Sequence, residues 1–181
     1  DSQPAILYTN KQMIGSIRGK LLHSTTDSCL VEASNGVGYK IAITTDTAAS
    51  FFDQNNQEVF LYIYSVVRED AFDLYGFSSV DEKKLFDQII GVSGVGPKSG
   101  LAILSIAPIN QLKTAIASGD SNFLTKVSGV GKKSAQKIIL ELQDKLADEA
   151  IALDTADNNY STDNEVLSAL ISLGYSEREA R

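Results

Sequence analysis

The chain has 181 residues, 43% of them hydrophobic and 22% charged, with a net charge of −7, one cysteine, one histidine and no tryptophan. Such a composition suits one large or two small globular domains, and the lone Cys29 excludes an intramolecular disulfide or a thiolate metal cluster. No run approaches the roughly 18 apolar residues of a membrane span and no basic-then-apolar leader is present, so a cytoplasmic protein is expected, with Cys29 in the core and His23 at a strand end.

Residues 1–12 precede Met13, the only methionine, which reads as the natural start; the upstream dozen is set aside as an extension or tag outside the fold. From Met13 to Phe77 the signals are β. Strands are predicted over 13–23, 29–33 and 37–43, the last two flanking Asn35-Gly36, a strong hairpin signal. Val37, Tyr39, Ile41 and Ile43 alternate as if lining one face. A short helix over 45–52 separates these from strands over 57–67 and 71–77. Five strands with a helical insert after the third suit a five-stranded OB-like barrel, with a sandwich or an SH3-like barrel as alternatives.

At Ser78 the period changes. Ser79 and Glu82 have capping-box spacing, opening a helix with Leu85, Phe86, Ile89 and Ile90 on one face. Further helices are expected over 98–106, from Pro108 to about Gly119, from Asp120 to Val127, and from Lys132 to about Ala147. The span 78–147 is therefore all-α. Residues 148–164 collect Asp, Asn, Thr and Ser and read as an acidic flexible linker. Residues 165–181 resume an amphipathic run at Val166, Leu167, Leu170 and Leu173 that breaks at Gly174-Tyr175, and 176–181 begin another helix, as a truncated helical module or a docking segment would.

Within the helical span a glycine hairpin is written twice, 35 residues apart: Ser93-Gly94-Val95-Gly96-Pro97-Lys98-Ser99 and Ser128-Gly129-Val130-Gly131-Lys132-Lys133-Ser134. A Gly-x-Gly turn that opens a helix presents unpaired amides and a positive dipole end, which suit a phosphate. A lone copy is no more than an αα-turn, but a duplicated one followed by lysines fits a phosphate polymer read without regard to sequence. Charge follows the same division: residues 13–77 carry 4 Lys+Arg against 8 Asp+Glu, residues 78–146 carry 9 against 6, and residues 147–181 carry 2 against 8. Only the segment with the repeat is basic, and binding depends on the local field. P-loop and dinucleotide fingerprints both fail on spacing.

Arg68-Glu69-Asp70, between the last two strands, reads by itself as a solvated turn. Two adjacent carboxylates without a convergent third ligand are weak support for a metal site, so no metal, cofactor or catalytic residue is assigned. Tyr39, Phe60, Tyr62 and Tyr64 could instead serve as stacking platforms for single strands, although alternating aromatics also fit a core. A fragment of a repair nuclease or ligase is a further alternative.

Seven ordered blocks resemble the RuvA family of bacterial Holliday junction binding proteins: Met13–Gly19, Gly36–Tyr39, Val67–Ala71, Leu74–Phe77, Leu85-Phe86, Gly94–Lys98 with Ala102–Leu104, and Gly129–Lys133. Leu173–Ser176 is similar to the start of that family's C-terminal module. The resemblance implies an α+β multidomain chain: an OB-like barrel, tandem helix-hairpin-helix motifs, a mobile linker and a UBA-like module that engages the RuvB motor. It implies a non-catalytic DNA-binding subunit of an ATP-dependent branch migration complex acting in recombination and repair. Partners would be four-way junction DNA, three further copies in a homotetramer that can pair face to face, RuvB, and the RuvC resolvase. The DNA contacts would fall on Ser93, Gly94, Val95, Gly96, Lys98 and Ser99, and on Ser128, Gly129, Val130, Gly131, Lys132 and Lys133. Glu69 and Asp70 would form an acidic pin, and Leu167, Leu170, Leu173 and Tyr175 would face RuvB.

Overall fold

The computed structural model describes residues 13–52 and 54–157. Five strands, β1 (Ser16–Ser24), β2 (Ser28–Glu32), β3 (Gly38–Ile43), β4 (Glu58–Val67) and β5 (Phe72–Phe77), close a barrel in the order β1-β2-β3-β5-β4. A short helix α1 (Thr45–Ser50) follows β3, with Thr44 Oγ1 accepting from the Thr47 amide at its start. This is the OB-type arrangement, in which β1 serves two neighbours: it pairs antiparallel with both β2 and β4, and its register shifts between Leu21 and His23.

Alternation explains the barrel interior. Leu21, Val31, Ile41, Ile43, Leu61 and Ile63 point inward and are fully buried. Val37 departs from its expected place in that row, because β3 begins only at Gly38 and Val37 lies exposed beside the hairpin tip. The tip itself is built as Asn35-Gly36 predicts: Gly36 has φ of 78°, and Asn35 Oδ1 accepts from the Val37 amide at 3.1 Å. His23 is exposed next to the end of β1.

Cys29 lies in the barrel core, where burial pushes its thiol up from 9.0 to about 12. A raised thiol pKa means that the fold favours the protonated form. Its contribution to stability is complete below the unfolded-chain value and is lost as pH rises toward about 12. A thiol-specific reagent at pH 8 is expected to leave Cys29 unmodified in the native protein and to label it in urea. Labelling at equal rates in both would contradict its place in the core.

The helical part comprises α2 (Val80–Gly91), α3 (Pro97–Leu104), α4 (Ile109–Ala117), α5 (Ser121–Leu124) and α6 (Lys132–Asp157). Ser79 caps α2 by accepting from the Glu82 amide at 3.1 Å. Glu82 departs from the simple capping box, since its carboxylate accepts from the amide and hydroxyl of Ser78 at 2.9 and 2.7 Å, one residue further back. Pro108 occupies the N-cap of α4, just ahead of the first turn where the sequence places it, and Asp120 caps α5 through the Phe123 amide.

The predicted linker begins too early: α6 continues through Asp157. No glycine or proline stands between Gly131 and Gly174, and Ala, Leu and Glu recur across 146–153, so an acidic composition does not by itself stop the helix. The rest of the linker, the C-terminal module and residues 1–12 lie outside the described residues. Among those described, no single helix is long and apolar enough to cross a membrane.

The two parts share a core. Tyr75 and Phe77 on the outer side of β5 join the helical cluster rather than the barrel interior, meeting Phe86 of α2 at ring-centroid distances of 5.7 and 4.8 Å. Tyr64 adds an edge contact to Phe86 at 5.2 Å. A second tie runs from Thr45 Oγ1 to the Ser105 carbonyl at the end of α3, 2.9 Å away. These contacts fix the barrel's loops relative to the hairpins.

Candidate nucleic-acid interface

The two glycine hairpins are built alike. In the first, the Val95 amide donates to the Val92 carbonyl at 3.0 Å and the first bond of α3 runs from Gly100 to Gly96 at 2.9 Å; in the second, Val130 donates to Val127 at 3.1 Å and Ala135 to Gly131 at 2.9 Å. Each hydrogen bond recurs at the 35-residue offset. Val95 and Val130 are buried and anchor the turns, while Ser93, Gly94, Gly96, Ser128, Gly129 and Gly131 are exposed. Because the first intrahelical bonds begin at Gly100 and Ala135, the amides of Lys98 and Ser99, and of Lys132, Lys133 and Ser134, precede the helical ladder. Pro97 has no amide to offer, so the second hairpin presents one donor more.

The glycines divide by cause. Gly94 and Gly129 have φ of 93° and 86°, a left-handed backbone that a side chain would strain. Gly96 and Gly131 have no positive φ, and a Cβ at either would meet no atom within 4 Å. Nothing inside the chain demands glycine there; a missing Cβ leaves room for something outside. Lys98, Lys132 and Lys133 are exposed beside these openings and have no ion pair among the described residues.

Residues 68–71 form a tight turn joining β4 to β5, closed by the Arg68 amide donating to the Ala71 carbonyl at 2.8 Å. The Arg68 guanidinium pairs with Asp73 at 2.8 Å. Its charge is therefore spent within the base of the turn, and Glu69 and Asp70 remain exposed at the tip without an ion pair among the described residues. No group of three or more His, Cys, Asp and Glu side chains converges among the described residues.

Residues 13–76 match the family model for the RuvA N-terminal domain, and residues 86–144 match that of the SAM-like helix-hairpin-helix tandem. A Clostridium beijerinckii protein, Holliday junction branch migration complex subunit RuvA, is 46% identical over 170 residues, covering 91% of this chain and 85% of its own length. The chain belongs to the RuvA family. Proteins of the same name from Chloroflexus aurantiacus and from Clostridium perfringens are 44% and 40% identical over 168 and 174 residues, covering 93% and 91% of this chain and 85% and 86% of theirs.

In this RuvA-family chain one feature of the interface escapes local reading. Lys137, on the second turn of α6, donates to the Ser93 carbonyl at 3.1 Å and so ties the second unit to the first hairpin across 44 positions. A single lysine on a helix that mixes both charges carries no sequence signal for such a tie. Of the aromatic candidates, Tyr64 is committed to the seam with α2, and burial, with the Asp87 carboxylate second, raises its phenol above the usual range. Phe60 lies under the Arg18 guanidinium at 5.3 Å and against Tyr62 at 5.0 Å, while Tyr39 packs at the edge of the barrel core. The four do not form one exposed platform. Leu167, Leu170, Leu173 and Tyr175 lie outside the described residues.

Proposed function

We propose that this chain binds four-way DNA junctions, without regard to base sequence, as a homotetramer that holds the junction open and square and brings the RuvB motor to it for branch migration. The observation that carries this reading is the matched pair of open hairpins, each with a glycine, Gly96 or Gly131, whose missing Cβ leaves open space beside exposed lysines. Phosphate contacts of this kind position a duplex and ignore its sequence. The printed names of the relatives, subunits of a Holliday junction branch migration complex, agree with it.

In such a ring each subunit offers two different complementary surfaces, so closure is heterologous. Four copies bring eight hairpins to the arms and eight carboxylates, Glu69 and Asp70 from each, to the centre. Those carboxylates repel a duplex laid across the centre and tolerate strands that diverge there, so selectivity for the junction comes from penalising the wrong ligand. The protein supplies grip and shape, and RuvB supplies ATP hydrolysis; the paired-ring form and contact with RuvC belong to the same reading.

Glu69→Gln combined with Asp70→Asn is expected to raise affinity for linear duplex more than for a four-way junction, measured by competition at fixed salt. The turn is closed by backbone and by Arg68–Asp73, so the substitution leaves its fold in place. Equal changes for both ligands would reduce Glu69 and Asp70 to a solvated turn.

A further inference from the structure

The barrel is not sealed along its whole length. β3 and β5 pair in parallel only at Ala42 with Tyr75 and Ile43 with Gly76; ahead of those pairs the two strands have no mutual register. Beside this seam opens a cleft of about 400 Å³, bounded by Lys40 of β3, Phe72 and Asp73 of β5, and Lys98 of the first hairpin helix. The volume lies in the range that holds small ligands. One cleft therefore joins the base of the acidic turn to the first phosphate cradle.

Its chemistry is specific. Phe72 is 51% exposed, an apolar ring left in solvent two residues after Asp70. Lys40 and Lys98 are exposed cations with no ion pair among the described residues. Of the two carboxylates of the cleft, Asp73 is neutralised by Arg68 at 2.8 Å, and Asp27, in the loop between β1 and β2, accepts a hydrogen bond from Thr25 Oγ1 at 2.8 Å and keeps its charge. An exposed aromatic residue and two ammonium groups without ion pairs along one cleft suit a base with its flanking phosphates, because stacking is indifferent to base identity and the cations follow the backbone. The position agrees with the general habit of OB barrels, which take nucleic acid on the face of strands 2 and 3 and at the loops joining strands 1 to 2 and 4 to 5.

We propose that this cleft receives one unpaired base of a DNA strand as it leaves the branch point, stacked on Phe72 and flanked by the Lys40 and Lys98 ammonium groups. The inference rests on the junction-binding reading and adds to it a second role for the barrel. Glu69 and Asp70 exclude the intact duplex, and the neighbouring cleft gives the displaced base a surface in exchange for its lost stacking partner. A cost of strand opening at the centre is thereby offset.

The test is photocrosslinking of the full chain to four-way junctions carrying a single 5-iodouracil, placed either next to the branch point or ten base pairs out along an arm, with the yield at Phe72 read by mass spectrometry and divided by the fraction of junction bound. The branch-point nucleotide is expected to crosslink at Phe72 about fivefold or more above the arm nucleotide, a ratio set by the stacking of one base. Phe72→Tyr should keep the crosslink, and Lys40→Gln should lower its yield while leaving the ring in place. Bound junction with equal yields at the two positions, or with branch-point crosslinks only at other residues, would overturn the proposal and leave the junction-binding reading standing. Absence of bound junction would remove both.

Discussion

Raising the salt concentration fourfold, from about 50 to about 200 mM, is expected to weaken binding to a four-way junction by roughly four powers of ten. The expectation follows from counting grips. Two hairpins per subunit and four subunits give eight, and if each displaces about one counterion the log–log slope lies near −7. Lys132→Gln with Lys133→Gln weakens half of the grips while leaving the glycine turn and its Val130–Val127 hydrogen bond in place. The slope should then fall to about −4. A titration that gives a slope near zero for the unaltered chain would remove the phosphate cradle as the basis of binding. A variant slope equal to the parent's would move the grip away from the second hairpin.

Phe86→Ala is expected to cost about 3–5 kcal/mol of stability, read from the urea midpoint at constant m-value. Phe86 is fully buried and meets the rings of Tyr64, Tyr75 and Phe77 together. Its removal opens a cavity at the seam where the barrel rests on α2, so both parts lose a shared wall. Junction affinity should fall as well, because the acidic turn and the hairpins are held at fixed separation through this seam. Leu140→Ala on α6 is the control, since that side chain is 77% exposed and its truncation removes little burial. A loss below about 1 kcal/mol for Phe86→Ala would mean that barrel and helices are stabilised independently.

Much of this architecture is legible in the chain because local signals agree with one another. Asn35-Gly36, the cap at Ser79 and the doubled Gly-x-Gly each fix a backbone conformation within a few residues, and each stands where the sequence places it. What the chain leaves open is decided by contacts distant in sequence. Tyr64 alternates with core residues and looks like either a platform or a core position; only α2, whose helix begins 16 positions later, decides which. The Lys137–Ser93 tie is equally non-local. The linker boundary differs for a local reason: acidic residues across 148–157 do not end α6, because no residue there breaks a helix. At the interface itself the hairpin amides could be inferred from glycine spacing, but the cleft beside β5 could not, since it opens where two strands distant in sequence pair at only two positions.

α6 starts at the second hairpin and runs without interruption for 26 residues, a length of about 39 Å. A continuous helix of that length is a stiff strut, hydrogen-bonded along its axis and braced near its root by Lys137 against the first hairpin. Anything that grips the helix near Asp157 would therefore stand about 39 Å from the second hairpin, at the far end of an unbroken rod.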